Sequence, residues 1–453
     1  MYLKNVRVRN VRGFRGVREV DLDLTRPDGS YAGWTVLAGR NGSGKSTLLR
    51  AVALAVSGPS AARGLVTGFD SWISDGRPLA VAEVCLAHDP SEDRFTTGRP
   101  PAGAFWAGLE WTVPDDVTTT AVRHAQPAMS QVKYRKAPTA AQRGPWADNP
   151  VGWFCAGYGP FRRLVGGSGE VQRRMAGSGP VARLTSLFHE DASLAEGVSW
   201  LIEQHLRSLE NRPGAAELKR TALEILGDDL LPDDYTIGDV DSDGLWVAHD
   251  GRSFALREMS DGYRTVAALV VDILKQLHDT YGALRVERDS GHPVVTVPGV
   301  VIIDEIDAHL HVSWQKRIGG WLKEHFPLVQ FLVTTHSPYI CQAADPAGLI
   351  RLPGPDVDEA PEVVGSDLYD RVVYGSGDDA VLSELFGLDT PYSQRADEAR
   401  ALLVALELRI VAGEADDQDR ERYRQLKRTL TSSPSARVDE VAARLRSLTG
   451  RAS

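Results

Sequence analysis

The sequence predicts an α/β fold built on a central, mostly parallel sheet, with an antiparallel N-terminal sheet and helical insertions expected around it. Three observations carry the central sheet. The segment Gly39-Arg40-Asn41-Gly42-Ser43-Gly44-Lys45-Ser46 follows the short β-prone run Trp34–Ala38 and opens a Leu- and Ala-rich stretch from Lys45 to Val56 that reads as a helix. The almost wholly apolar run Val300-Val301-Ile302-Ile303 ends in Asp304-Glu305, with Asp304 259 residues after Lys45. A third run, Val329 to Thr335, leads into His336-Ser337-Pro338. Apolar runs without alternation read as strands buried on both faces, as in parallel sheets.

Each run carries chemistry at its end. The glycine-rich segment fits G-x-x-x-x-G-K-[ST] without a mismatch. Its glycines let backbone N–H groups face phosphates, Lys45 can reach the β- and γ-phosphates of ATP, and the Ser46 hydroxyl can ligate Mg²⁺. Asn41, Gly42, Ser43, Gly44, Lys45, Ser46 and Thr47 are therefore the candidate nucleotide-binding residues, aided by the positive end of the helix that follows. Asp304 can hold Mg²⁺ directly or through water. Glu305, one residue on, is the natural general base for the attacking water. Open α/β sheets bind ligands at the carboxyl ends of their strands, where these two residues fall. A core strand followed by solvated acids is the bland alternative, and the phosphate loop weighs against it. His336 can hydrogen-bond a γ-phosphate or the attacking water. A lone histidine is more often structural, but this one lies 32 residues after Asp304 in a chain with an ATP motif. Pro338 holds the residue before it extended.

A fourth segment, Leu256-Arg257-Glu258-Met259-Ser260-Asp261-Gly262-Tyr263, precedes an amphipathic helix with apolar positions at Tyr263, Val266, Ala267, Val270, Ile273, Leu274 and Leu277. Ser260 suits the N-cap and Gly262 allows close backbone approach. Two readings stand side by side: a plain capped helix, or a helix end that binds a phosphate. Residue chemistry alone does not say whose phosphate.

Taken together, these segments resemble the ATPase head of the ABC superfamily, in the branch of chromosome-maintenance, double-strand-break repair and RecF-like proteins. In style they are most similar to the bacterial AAA15/AAA21-type ATPases, which include OLD-family nucleases and the ATPase subunits of Septu-like and retron-linked phage defence systems. On this resemblance Gly39 to Ser46 is the Walker A loop, Asp304 and Glu305 the Walker B pair, and Ile306-Asp307-Ala308-His309-Leu310-His311 the D-loop region. Met259 to Gly262 takes the place of the signature and His336 that of the switch histidine. The likeness runs from residue 1 to about 345.

The resemblance implies a two-lobed ABC-type P-loop ATPase head. ATP is its substrate, Ser46 and Asp304 hold Mg²⁺, and Lys45, Glu305 and His336 are catalytic. It further implies a homodimer that sandwiches two ATP molecules, with Ser260 and Gly262 meeting the γ-phosphate held by the partner. Asp261 stands where transporters often carry glycine, a departure common in the chromosome and repair branch, and an acid at a helix N-terminus is electrostatically favourable. The function implied is an ATP-hydrolysing switch, the sensor component of a bacterial anti-phage system that acts with a separate nuclease or toxin effector. Two alternatives stand: a RecF- or SMC-like repair or replication ATPase, and an ATP-switched scaffold that regulates a protein partner without DNA. The segment Trp153 to Arg163 resembles the YGxxR stretch of such heads. No glutamine falls cleanly in the Q-loop register, with Gln172 the nearest candidate. Arg162 or Arg163 either touches phosphate or DNA, or belongs to a solvated turn.

Composition bounds the rest. With 453 residues, 42% of them hydrophobic and 25% charged, the chain is long enough for one large domain or a few smaller ones. It has no stretch of eighteen apolar residues, so no membrane partner is expected. Met1 to Val6 runs straight into alternation rather than a signal peptide, which points to the cytoplasm. Cys85, Cys155 and Cys341 are too few and scattered for disulfides or a zinc cluster, and no structural metal is expected. A net charge of −10 argues against wholesale wrapping of nucleic acid. Yet Lys4, Arg7, Arg9, Arg12, Arg15 and Arg18 crowd the N-terminus, with Val6 and Val8 alternating against Arg7 and Arg9. This stripe either holds duplex DNA phosphates or is a solvated sheet face.

Texture divides the chain into an N-terminal lobe (1–180), a compact helical insertion (181–250), a signature-to-histidine segment (251–350) and a mostly helical extension (351–453). Residues 79–86 and 105–113 read as strands, and 89–103 and 137–150 as loops. Gly166 to Gly169 and Gly177 to Pro180 bracket a segment expected to be mobile. Val181 to Leu226 is helical with a break at Pro213-Gly214, and only about seventy residues precede the signature, too few for the long coiled coil of repair ATPases. Pro353 to Pro361 is an acidic loop and Ser366 to Thr390 a mixed helical link. Two helices are expected between Arg395 and Leu448, interrupted near Thr431 to Pro434. Their apolar stripe of Leu402, Leu403, Leu406 and Leu408 packs on the head or receives an effector. No HNH-like histidine array or Toprim-type acid set is visible.

Overall fold

The computed structural model describes residues 1–113, 126–162, 168–177, 179–388 and 390–430. The chain opens with β1 (Tyr2–Arg9), β2 (Val20–Asp23) and β3 (Gly33–Ala38), followed by α1 (Lys45–Leu65). Next come β4 (Leu79–Ala87), β5 (Phe105–Thr112), β6 (Ala128–Gln131), α2 (Ala140–Arg143) and β7 (Cys155–Tyr158). A helical run holds α3 (Gly169–Met175), α4 (Pro180–Phe188), α5 (Ala195–Leu209) and α6 (Ala215–Gly227). Three short strands, β8 (Thr236–Asp241), β9 (Gly244–His249) and β10 (Arg252–Ala255), lead to the long helix α7 (Asp261–Tyr281). Then follow β11 (Val286–Asp289), β12 (His292–Val295), β13 (Gly299–Ile303), α8 (Val312–His325), β14 (Val329–Thr335) and α9 (Pro338–Cys341). The last elements are β15 (Leu349–Arg351), β16 (Glu362–Val363), α10 (Ser366–Val373), α11 (Gly377–Val381), α12 (Gln394–Val411) and α13 (Asp417–Thr429).

Two sheets build the head. The first has the order β2-β1-β4-β5-β6 and is antiparallel throughout. The second has the order β16-β15-β3-β14-β13-β7, parallel except for the edge strand β16. The three runs of the sequence thus lie side by side as β3, β14 and β13, all pointing one way. Every residue of β13 and β14 is buried, the burial their unbroken apolar pattern requires. The polar exception, Gln330 of β14, is also fully buried. Its amide accepts from Leu3 N at 2.7 Å and donates to Leu3 O at 2.9 Å, where β1 skips a residue in its register with β4. One side chain therefore joins the two sheets and satisfies both its own polar atoms and those of the irregular strand.

Helix α1 runs nine residues past Val56, to Leu65, with a kink at Gly58 (φ +81) before Pro59. Helix α7 is buried on more than the expected stripe, Leu269, Val271 and Asp272 included. Tyr158 of β7 donates to the Asp272 carboxylate at 2.9 Å, tying the signature helix to the central sheet, and burial raises the Asp272 carboxyl above the usual range. Gly214, in the left-handed region at φ +79, breaks α5 from α6.

Several expectations require correction. The stretch from Gly169 to Met175, bracketed by the two glycine runs, is a helix capped by Ser168 accepting from Val171 N; Gly166, Gly167 and Ser178 lie outside the described residues. The 137–150 loop contains the single-turn α2. The 181–250 insertion is not only helical, because β8–β9–β10 close it as a three-stranded antiparallel sheet. By internal packing the chain forms two units, Met1–Val373 and Tyr374–Ser453, so residues 351–373 complete the head with β16 and α10. In the second unit the helices part at Gly413 (φ +76), well before Thr431, and Asp416 starts α13 with a reciprocal capping box to Asp419. Thr431 to Pro434 and the rest of the tail are outside the described residues. The leucine stripe splits: Leu406 is 3% exposed and Leu408 66%.

The basic face of β1 exists as alternation predicts, with Val6 and Val8 buried and Arg7 and Arg9 exposed. It is not a free cationic stripe. Arg7 pairs with Asp21 at 3.1 Å and lies 4.5 Å from the Trp106 ring, and Arg9 pairs with Glu83 at 3.3 Å. Among the described residues no helix is long and apolar enough to cross a membrane.

Candidate nucleotide site

The phosphate loop leaves β3 at Ala38 and enters α1 at Lys45, as the strand–loop–helix pattern requires. Gly42 and Gly44 occupy positive φ, +78 and +101. A Cβ on Gly44 would also lie 2.6 Å from the Phe14 ring, so only glycine fits. Ser43 Oγ is buried without a hydrogen-bond partner among the described residues. A buried hydroxyl of this kind suits a phosphate oxygen. Lys45 is 7% exposed, and its ammonium donates to Gly39 O at 2.7 Å and Arg40 O at 3.2 Å. Burial pushes Lys45 below its ordinary range, while Asp304, Glu305 and Asp307 pull it back toward the charged form. The loop is braced from outside by Arg18, which donates to Ser43 O at 3.4 Å and to the carbonyls of Pro353, Gly354 and Val357. A cavity of 1050 Å³ opens beside Gly42, Ser43, Gly44 and Thr47, walled by Arg12, Phe14, Arg15 and Arg18.

Strand β13 delivers the two acids. Asp304 is 1% exposed and accepts from Thr334 Oγ1 at 2.5 Å. Among the described residues no basic side chain pairs with it, which leaves a buried carboxylate in need of a cation. Glu305 leaves the strand at φ +47, an uncommon conformation for a residue with a Cβ. Its N–H donates to Thr334 Oγ1 at 2.7 Å. Its carboxylate makes no hydrogen bond or ion pair among the described residues. Asp307 accepts from Thr335 Oγ1 at 2.6 Å and from His336 N at 3.3 Å, so the D-loop and the end of β14 are one bonded unit. Burial first, and then the Lys45 charge, hold the His336 imidazole below the usual histidine range.

Arg162 answers neither reading offered for it. It is 2% exposed and points inward. Its guanidinium donates to the carbonyls of Gly159 at 2.8 Å, Asp304 at 2.9 Å, Glu305 at 3.0 Å and Ile306 at 3.2 Å. It is therefore a positioning residue, holding the backbone that presents both acids, and not a solvated turn or an exposed phosphate contact. Burial lowers it to about 10, and the three neighbouring acids oppose the shift. Arg163 lies outside the described residues.

The structure thus brings Lys45, Asp304, Glu305 and His336 into one electrostatic neighbourhood, at the carboxyl ends of β13 and β14 next to the phosphate loop. The signature residues open elsewhere. Ser260 is at the N-cap of α7 with an exposed hydroxyl that makes no capping bond. A Cβ on Gly262 would meet His309 O at 2.8 Å, so the signature packs on its own D-loop. Ser260 and Gly262 line a separate cleft of 460 Å³ with His309, His311 and Trp314. Sequence reasoning placed Asp307 in the D-loop region and Arg18 in the basic N-terminal group without the bonds they make here, and it missed the roles of Thr334 and Arg162.

Comparison with known proteins agrees with this arrangement. A family described as "AAA domain, putative AbiEii toxin, Type IV TA system" matches residues 200–342, and one described as "AAA domain" matches residues 5–77. The Septu protein PtuA of Bacillus mycoides (strain KBAB4) is 23% identical over 72% of this chain and 37% of its own length. The Retron Ec83 probable ATPase of Escherichia coli is 37% identical over 26% of this chain and 21% of its own length. The chain therefore spans 37% and 21% of the length of these two curated relatives. A solved SMC head bound to the C-winged helix domain of ScpA aligns with TM-score 0.44 and 16% identity over 80% of this chain and 98% of that one. The fold assignment rests instead on the sheet order and the motifs it assembles. Those two family matches enclose the phosphate loop, signature, paired acids and strand-end histidine in their proper order, so over these residues the chain is similar to AAA-domain ATPases.

Proposed function

We propose that this chain is an ATP-hydrolysing switch that closes as a homodimer, the sensor ATPase of a bacterial anti-phage system in the cytoplasm that commands a separate nuclease or toxin. The observation that carries the switch is the division of the site. The phosphate loop, both acids and His336 gather at one place, while Ser260 and Gly262 line another cleft. A second copy supplies the signature that one copy keeps apart. The likeness to Septu PtuA and to the retron ATPase supports the defence setting.

The residues present fit Mg²⁺. Asp304 is a buried carboxylate with a hydroxyl but no cation partner among the described residues, and Ser46 opens α1 beside the buried orphan Ser43 Oγ. Ser46 and Asp304 would hold Mg²⁺, which when bound would neutralise phosphate charge. Lys45 adds a cation within reach of the β- and γ-phosphates. Glu305 takes the proton from the attacking water, and Arg162 fixes the backbone that aims it. His336, kept neutral, hydrogen-bonds the γ-phosphate or that water.

The test is Glu305→Gln, which keeps the shape and removes the base. ATP should shift this variant from monomer to dimer by light scattering, and Ser260→Arg, which crowds the signature cleft, should abolish the shift. Normal hydrolysis by Glu305→Gln, or undiminished dimerisation by Ser260→Arg, overturns the switch. The ATP-switched scaffold then remains, and copurification from the native host identifies its partner.

A further inference from the structure

Asp228, His292 and His325 are far apart in sequence and come from three different elements. Asp228 is the C-cap of α6, His292 is the first residue of β12, and His325 is the last of α8. Asp228 Oδ2 stands 2.7 Å from His292 Nδ1 and 3.0 Å from His325 Nε2. One ligating atom from each of the three lies within 4.8 Å of the others. The cysteine count excluded a thiolate cluster but could not reveal a group assembled from residues 64 and 33 positions apart.

The surroundings of each ring matter most. His325 Nδ1 lies 2.9 Å from Trp321 O. A carbonyl there only accepts, so the proton sits on Nδ1 and the Nε2 lone pair faces Asp228. The His325 ring is 1% exposed and stacks on Trp321 at 4.0 Å. Trp321 Nε1 donates in turn to Asp228 O at 2.7 Å. His292 Nε2 faces Glu324 Oε1 at 3.5 Å. Both histidines thus aim one nitrogen at a shared point and the other at an oxygen acceptor, the arrangement that metal-binding imidazoles adopt.

We propose that Asp228, His292 and His325 form a binding site for one divalent transition-metal ion of the Zn²⁺ class. Two imidazoles and one carboxylate favour Zn²⁺ over Mg²⁺ or Ca²⁺, which prefer oxygen ligands. Bonds of about 2.0–2.2 Å in tetrahedral array spread ligand atoms to about 3.4 Å, so the three move apart by several tenths of an ångström on binding. Asp228 and His292, with side chains 27% and 39% exposed, have room to do so and to admit water as the fourth ligand. The ion ties the helical insertion, through α6, to α8, which is rooted at the D-loop residue His311. It is a tether between the insertion and the nucleotide side of the head, beyond the ATPase function proposed above.

The test uses the full chain without an affinity tag, stripped by chelator and equilibrated with Zn²⁺ in excess Mg²⁺ so that the Asp304 site does not compete. One Zn²⁺ per chain by elemental analysis, and visible Co²⁺ absorption of a four-coordinate ion, are expected. Removal of buried His325 risks the fold, so the half-exposed His292→Asn is the main variant. It should lose the ion while keeping its circular dichroism and its ATP affinity. Glu324→Ala, which removes the acceptor behind His292, should weaken binding roughly 10–100-fold. Failure of the parent chain to hold a stoichiometric ion, or undiminished binding by folded His292→Asn, overturns the site. Either failure leaves the ATPase proposal standing, because that is read from nucleotide-dependent dimerisation.

Discussion

Thr334 Oγ1 lies 2.5 Å from Asp304 Oδ1 and 2.7 Å from the backbone nitrogen of Glu305. One hydroxyl on β14 thus donates to the first acid of β13 and accepts from the N–H of the second. It orients the carboxylate assigned to Mg²⁺ and supports the left-handed backbone that turns Glu305 out of the sheet. The Thr335 hydroxyl does the same for Asp307, at 2.6 Å. Strand β14 is therefore the scaffold of the acids on its neighbour.

Thr334→Val keeps the shape of the side chain and removes both bonds. Groups that orient metal-binding carboxylates are worth about 10–100-fold in metal affinity or activity. ATPase rate against Mg²⁺ concentration should show a loss of that size, partly recovered at high Mg²⁺. A normal Mg²⁺ dependence in a folded Thr334→Val would mean the hydroxyl is mere packing.

Arg162→Met probes the clamp behind the acids. The substitution leaves four carbonyls without this donor, three of them at Asp304, Glu305 and Ile306. Glu305 O keeps its bond from Ala308 N, and buried polar groups left unsatisfied cost about 1–3 kcal/mol each, so the other three carbonyls put the expected loss at about 3 kcal/mol or more in denaturant unfolding. If stability holds while ATP or DNA binding falls, Arg162 is a ligand contact after all.

Much of this site was legible in the chain for a physical reason. Phosphate grip needs glycine, lysine and hydroxyl residues within eight consecutive positions, and a buried strand ending in acids is contiguous too. The same holds for β14, whose ends were read to the residue because its β-prone run is contiguous and buried throughout. Arg162 was opaque because three of its four partners are backbone carbonyls more than 140 residues away, which leave no mark in side-chain spacing. The strands β8 to β10 were missed because they are short and half exposed and β8 carries two aspartates, so no clear alternation marks them. The early break at Gly413 was overlooked because Pro434 looked the stronger stop, yet a glycine followed by Asp416 and Asp419 is a complete end and start.

The state of His336 gives a pH prediction. Burial and the nearby Lys45 charge lower its folded value, with Asp307, Glu305 and Asp304 opposing. The unfolded chain then binds more protons than the folded one just below the ordinary histidine value of about 6.5, so this residue makes stability fall as pH drops through that window. At neutral pH the ring is uncharged, as a partner for water or a γ-phosphate requires. The acid limb of the ATPase profile due to His336 should therefore lie below pH 6.5 or so. His336→Gln should remove that limb and lower the rate about 10²-fold. An unchanged limb in His336→Gln assigns the titration to another group.

The last prediction concerns DNA. Clustering of Arg7 and Arg9 on an acidic chain suggested a phosphate-binding stripe, but each guanidinium has a carboxylate beside it, Asp21 at 3.1 Å and Glu83 at 3.3 Å. Glu83 is itself held by the Tyr134 hydroxyl at 2.9 Å. A phosphate would have to compete with these acids or bring them close to its own charge. Duplex binding by the ATP-closed Glu305→Gln protein, read by fluorescence anisotropy across a salt series, should therefore not depend on these two residues. Arg7→Gln with Arg9→Gln is the suitable variant, because a reversal to Glu would set like charges against Asp21 and Glu83 and disturb the sheet itself. Removing an arginine that truly grips a phosphate lowers the salt slope by about one. The expected slope is unchanged. A slope lower by about two, with ATP affinity intact, would restore this face as a DNA surface and move the repair-type reading ahead of the scaffold.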